Sequence, residues 1–176
     1  MELEAHFPFW GELTREQREK LSRAAVERTF PQGTLVSGGS EDCTGLVLPL
    51  TGQLRAYLLT EEGKELTLYR LFPGDLCLFS ASCAMRGIQF DVMVEAQRDT
   101  RALLLPAPVY RDLMESSVPV ANFTNQLMAG RFSDVMWLMD QILGKKLDSR
   151  LAAFLVEEGR LAGSGELSLT HDQIAR

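Results

Sequence analysis

The chain has 176 residues, 45% apolar and 24% charged, with a formal net charge of −6. That length supports one sizeable core with a smaller appended unit, and the charge excludes a chain dominated by a basic nucleic-acid patch. No apolar run is long enough to span a bilayer, no signal peptide precedes the first helix signal, and Cys43, Cys77 and Cys83 are an odd set that suits a reducing cytoplasm better than a disulfide framework.

Phe7, Phe9 and Trp10 come first. Exposed together they would be a costly patch, so they are expected to cover one end of a core. Thr14 and Gln17 have capping-box spacing and predict a helix over 15–27, with Leu21, Ala24 and Ala25 inward. From Phe30 to Leu105 the signals are short strands and turns. Leu46, Leu48 and Leu50 alternate until Gly52 breaks the run; Leu54, Ala56 and Leu58 then alternate against Gln53, Arg55 and Tyr57. A hairpin turn at 61–64 leads to a strand over 65–72, closed by Pro73-Gly74-Asp75. Phe90, Val92 and Val94 alternate again, and 102–105 is the last strand. Many short strands at regular spacing predict a compact antiparallel barrel or sandwich. Pro108 to Met114 reads as a short helix.

The longest helical pattern runs from Val118 to Leu143, with Ser116 or Ser117 as its cap and Pro119 in its first turn. Ala121, Met128, Phe132, Val135, Met139 and Ile142 recur mostly at steps of three and four, a seam of near-heptad spacing. Phe123, Leu127, Met136, Leu138 and Leu143 lie off that seam, beside Trp137. A helix apolar on two sides needs two surfaces to bury against. One is its own upstream domain; the other is the same helix of a second chain, or else the whole helix is core in a monomer. Gly144-Lys-Lys146 ends it, and Asp148 is placed to cap a second helix whose face is Leu151, Phe154, Leu155 and Leu161, stopped by Gly163. A short strand is expected over 166–169. Thr170 and Gln173 repeat the capping-box spacing and open a third helix, so further residues are expected beyond Arg176.

Four pieces in this order resemble the Crp/Fnr superfamily of bacterial transcription regulators. They are the glycine motifs QGTLV (Gly33), TGQLR (Gly52) and FPGDL (Gly74), the long helix with RFSDVMWLMDQIL, the segment LDSRLAAFLVEE, and the final LSLTHDQIAR. The resemblance implies an α+β chain: an antiparallel β-roll (a double-stranded, jelly-roll-like β-helix), a long dimerisation helix, and the start of a winged helix-turn-helix. It divides the chain into an effector domain over 1–115, a dimerisation helix over 116–144 and the opening of a DNA-binding domain over 145–176. The implied partners are a second copy of the chain, double-stranded promoter DNA and RNA polymerase, with no membrane. The base-reading helix would lie past Arg176, so no DNA-reading residue is assigned. His171 would be a surface residue of the first helix of that domain. The expected dimer seam is Met128, Phe132, Val135, Met139 and Ile142.

The family's best-known effector is a cyclic nucleotide, whose cassette takes a Glu for the ribose and an Arg-Ser or Arg-Thr pair for the phosphate. Here Phe79 stands near the Glu position and Phe90-Asp91 where the phosphate pair would be; Val135-Met136 replace the purine-facing hydroxyls of the helix. Asp91 would repel a phosphate, so cyclic nucleotide is not expected. An iron–sulfur cluster needs four cysteines and haem an axial ligand such as histidine; three cysteines, with only His6 and His171, suit neither. No cofactor or metal is expected. If an effector pocket exists, Phe79, Ser80, Ser82, Cys83, Met85, Arg86 and Phe90 line it, a set suited to a small ligand that is not strongly anionic. Thiol-based sensing through Cys77 and Cys83 is an alternative, weighed against buried inert cysteines.

An enzyme is not expected. Residues 30–105 hold no histidine, which removes the usual ligand set of a cupin-type metal barrel, and no nucleophile elbow is present. The remaining rival is a stand-alone ligand-sensing dimer module, against which LTHDQIAR argues.

Overall fold

The computed structural model describes residues 3–38, 44–84, 91–171 and 174, of which 82–84 are described in their backbone alone. Met85, Arg86 and Phe90 of the expected pocket, with Cys43 and Gln173, therefore lie outside the described residues. Their contacts cluster into two compact units, Met1–Arg131 and Phe132–Arg176.

The first unit opens on two short 3-10 turns, Leu3–Ala5 and Trp10–Glu12. Helix α1 (Arg15–Ala24) starts where the sequence placed it: the Thr14 side chain accepts from the Gln17 N–H, and Gln17 Oε1 accepts from the Thr14 N–H. It ends three residues earlier than expected, because Val26 and Glu27 join strand β1 (Val26–Phe30), whose pairing with Thr100–Leu105 outweighs their helical spacing.

The remaining described strands are β2 (Leu35–Gly38), β3 (Leu46–Pro49), β4 (Leu54–Leu59), β5 (Glu65–Leu71), β6 (Val92–Ala96) and β7 (Thr100–Leu105). They form two antiparallel sheets in the orders β1-β7-β3 and β2-β6-β4-β5. The antiparallel β-roll that the family resemblance implied is thus the fold of this unit. Gly52 is fixed by a close approach: at φ +80 it passes so near the Asp99 carbonyl that a Cβ would sit 2.4 Å from that oxygen.

Helix α2 (Ala107–Ser116) is followed by α3 (Val118–Gly144). Ser116 donates its hydroxyl back to Asp112, so Ser117 takes the junction, its carbonyl accepting from Ala121 N–H. The core joins the N-terminal turns, α1, β3, β7, α2 and the start of α3 through Phe7, Phe9, Leu21, Leu48, Leu103, Leu105, Leu113 and Val120. Phe9 meets Phe123 edge to face at 5.2 Å between ring centres. Each such side chain contributes about 1.5–3 kcal/mol by burial.

Strand β4 is buried on both faces over Leu54–Tyr57, which its alternation does not convey. Leu54 and Ala56 point into the roll, while Arg55 on the opposite face is only 3% exposed. Its guanidinium pairs with Glu65 and with Glu95 (3.2 Å) and lies 4.2 Å from the centre of the Tyr57 ring. Two carboxylates and a ring close over the arginine, so a position that reads as solvent-facing is buried.

In the second unit, α3 continues to Gly144 and α4 spans Leu147–Ala162. Asp148 does not cap α4: Lys146 holds that position without a side-chain bond, and Asp148 lies in the first turn. Gly163 closes α4 at φ +62, its N–H directed to the Arg160 carbonyl while Ser164 N–H bonds Gly159. Residues 166–169 form no strand; a lone short run with no neighbouring strand has nothing to pair with. The N–H of Ile174 bonds the Thr170 carbonyl, a helical turn at the place where a third helix was expected.

Candidate functional site

The site lies at the interior wall of the roll, where β5 and the segment after it meet α3. Tyr69 on β5 stands opposite Ala56 of β4, on the same inward face as Leu54, Leu71 and Val94. Cys77 is tied to β3 by its N–H to the Val47 carbonyl at 2.8 Å. The 3-10 segment Phe79–Ala84 follows, kinked at Ala81. Ser80 donates its hydroxyl to the Cys77 carbonyl at 2.7 Å, and the Ser80 carbonyl accepts from Gly45 N–H at 3.2 Å. The Phe79 ring packs tilted against Tyr69, 5.9 Å between centres. Over Tyr69 lies the guanidinium of Arg131 from α3, 4.3 Å from the ring centre.

These groups enclose the Cys77 thiol completely. Burial raises its pKa above the ordinary thiol value; Ser80, the Tyr69 hydroxyl and the Arg131 charge oppose that rise without reversing it. It is a protonated, inert thiol at neutral pH, which weighs against a redox role at this position. The arrangement is an arginine over two packed rings beside a buried thiol, and nothing in it activates a nucleophile.

A second buried contact anchors α3. The Tyr110 hydroxyl on α2 lies 2.6 Å from Thr124 Oγ1, and Thr124 donates to the Val120 carbonyl at 2.8 Å. Burial raises the Tyr110 pKa, with Thr124 opposing. Phe123, Leu127 and Met128 pack against the core around it.

Of the expected pocket residues, Phe79 and Ser80 are buried in this wall, and Ser80 spends its hydroxyl on the chain's own backbone. Ser82 and Cys83 lie in the 3-10 segment, their side chains outside the described residues. Asp91 is exposed. Of the expected seam, Met128 and Val135 are half-buried within the chain, whereas Phe132, Met139 and Ile142 are exposed. The exposed line runs Phe132, Met136, Met139, Leu143, in steps of four, three and four. Tyr69 and Arg131 were not singled out from the sequence. The cue available was an arginine at the edge of an apolar helix seam, which spacing alone cannot distinguish from a solvated one. Among the described residues no group of three His, Cys, Asp or Glu could hold a metal ion.

Residues 27–117 match the cyclic nucleotide-binding domain family, so the roll is of that class. None of the curated protein sequences matches the chain. Among solved structures, a transcriptional regulator of the Crp/Fnr family from Eubacterium rectale is 51% identical, over 97% of this chain and 79% of that one, with a TM-score of 0.94. The chain belongs to the Crp/Fnr family of transcriptional regulators. FixK2 from Bradyrhizobium japonicum (23% identity, 83% and 69% of the two chains, TM-score 0.66) and the c-di-GMP-responsive regulator CLP of Xanthomonas campestris (14%, 90% and 76%, 0.66) share the fold. No helix of the described residues is long and apolar enough to cross a membrane.

Proposed function

We propose that the protein is a homodimeric, DNA-binding transcription regulator whose β-roll senses a small effector and whose α3 carries the response toward the DNA-binding domain. The observation that supports this most is the 51% identity to the Eubacterium rectale regulator across nearly the whole chain. Roll, long helix and LTHDQIAR then have the roles of sensor, connector and the opening of the reader. The partners are promoter DNA and RNA polymerase, the setting is the cytoplasm, and no catalytic step is involved. The line Phe132, Met136, Met139, Leu143 supports association through α3, since exposed apolar side chains at heptad steps favour a partner helix.

The effector is not a cyclic nucleotide in this reading. In the sequence Phe79 stands near the position of a ribose-binding Glu, and in the structure it packs on Tyr69; Val135-Met136 offer a purine no hydroxyl. No haem or iron–sulfur cluster is assigned, for the ligand count given above. The test is sequencing of genomic fragments retained by the full-length protein. A recurring two-fold-symmetric motif with half-sites about one helical turn apart is expected; retention without a shared motif would remove the regulator reading and leave a sensing module.

A further inference from the structure

One polar residue stands in the exposed apolar stripe of α3. Counted in sevens, the stripe runs Val118, Asn125, Phe132 and Met139. α3 is a single helix over all four, and a step of seven, close to two turns, returns each to nearly the same side. All four are exposed. Three are large and apolar, none is charged, and Asn125 alone is an amide. Among the described residues its side chain has no hydrogen-bond partner. An amide brings both donors and an acceptor. An apolar partner laid along this line would leave them unmet in a dry seam, at a cost. A second copy of the same line, related by a two-fold axis, sets Asn125 against Asn125, and each amide donates to the oxygen of the other. Other alignments of two such helices do not. Run antiparallel, with Val118 opposite Met139, Asn125 meets a phenylalanine, Phe132; slipped by one heptad in parallel, it meets Val118 or Phe132.

We propose that Asn125 is the specificity-determining residue of α3 association: its amide pairs with the same amide of a second chain and restricts the two helices to a parallel, in-register arrangement. The inference rests on the reading that two chains associate through α3, and adds to it the residue that selects how. Affinity comes from the apolar members of the line, Val118, Phe132 and Met139; selectivity comes from the one member that tolerates only its own kind. A valine at 125 would make the seam more adhesive and less choosy, because every alignment would then bury apolar surface with no amide left unpaired.

The test uses the full-length protein without DNA. Sedimentation gives the dissociation constant, and a spin label at Asp140→Cys, in a Cys43→Ser, Cys83→Ser background that keeps the enclosed Cys77, gives the distance between chains. The parent is expected to show a single interchain distance, since both labels stand at one level. Asn125→Val is expected to tighten association about tenfold and to add longer distances, a slip of one heptad moving the labels about 10 Å apart along the axis and an antiparallel pairing moving them further. Asn125→Asp and Asn125→Lys, each setting like charges face to face, are expected to weaken association about tenfold or more, and an equimolar mixture of the two to restore it. A single distance in Asn125→Val overturns the proposal. So does parental association of Asn125→Asp alone, or a mixture no tighter than its components. The valine variant and the charged pair judge separately, so loss of one to misfolding leaves the other to decide. A parent that stays monomeric at every concentration removes the α3 association reading and this inference with it, whereas a dimeric parent whose variants fail these expectations removes only the role of Asn125.

Discussion

At the scale of single residues, two buried groups make the protein sensitive to alkali. Cys77 and Tyr110 both titrate higher when folded than when unfolded, each because burial disfavours the charged form. Their contribution is complete below the unfolded values and is lost as pH rises through the folded ones. Stability should therefore be flat near neutrality and fall above about pH 8.5, first through the thiol and then, above about pH 10, through the phenol. Urea midpoints measured from pH 7 to 10 check this: Cys77→Ala should flatten the first part of the fall, and an unchanged slope would contradict the assignment. Arg55 gives a second prediction. With Glu65 and Glu95 closed over it, Arg55→Met leaves two carboxylates facing each other without their cation. A loss of about 3 kcal/mol is expected in denaturant unfolding. None of this was readable from β4, where Leu54, Ala56 and Leu58 alternate as if Arg55 faced water. The deciding partner, Glu95, comes from a strand 40 residues away.

At the scale of elements, glycines and caps were the legible part. The Thr14–Gln17 box and the Gly163 stop depend on neighbours within a turn, and both formed as their spacing implied. Where a long-range partner decides, local pattern was overruled: Val26 and Glu27 left α1 for a strand because β7 offered a ladder. Asp148 had the right chemistry for a cap, but α4 begins one residue before it. Gly52 joins both cases. Its turn was visible, but the Asp99 carbonyl that forbids a side chain was not. Gly52→Ala must push that carbonyl away and hold a positive φ, so a loss of about 2 kcal/mol or more is expected in urea unfolding, against about zero for Gly11→Ala, whose Cβ meets nothing. For α3, the residues of the expected seam differ in burial within the chain: Phe132, Met139 and Ile142 are exposed. Met128 and Val135 are half-buried within the chain itself, while Met136 and Leu143 stand out in their place. Phe132→Glu with Met136→Glu is accordingly expected to give monomers in sedimentation, and a dimer that survives both substitutions would place the interface elsewhere.

At the scale of the whole molecule, order and identity carry different weight. The succession of strands, long helix and capped short helix was enough to place the fold, because each piece has a local signature. The wall formed by Tyr69, Cys77, Phe79 and Arg131 was not, because its members come from β5, the segment after it and α3. The candidate effector residues fall in the stretch 79–90, much of which lies outside the described residues. The small, apolar and soft side chains of that stretch implied a ligand that is not strongly anionic, and Asp91 weighed against a phosphate. In the described wall the charge is that of Arg131 over Tyr69, whereas Asp91 is exposed.

The exposed stripe of α3 also has an optical consequence. The chain has two tryptophans, one in each compact unit: Trp10 in the first, half-buried beside Arg18, and Trp137 in the second, 60% exposed. In a Trp10→Phe variant the emission comes from α3 alone. Its colour then reports how wet that helix is, so titrating the protein through its association range would turn a red emission bluer if chains meet along this stripe, without any label.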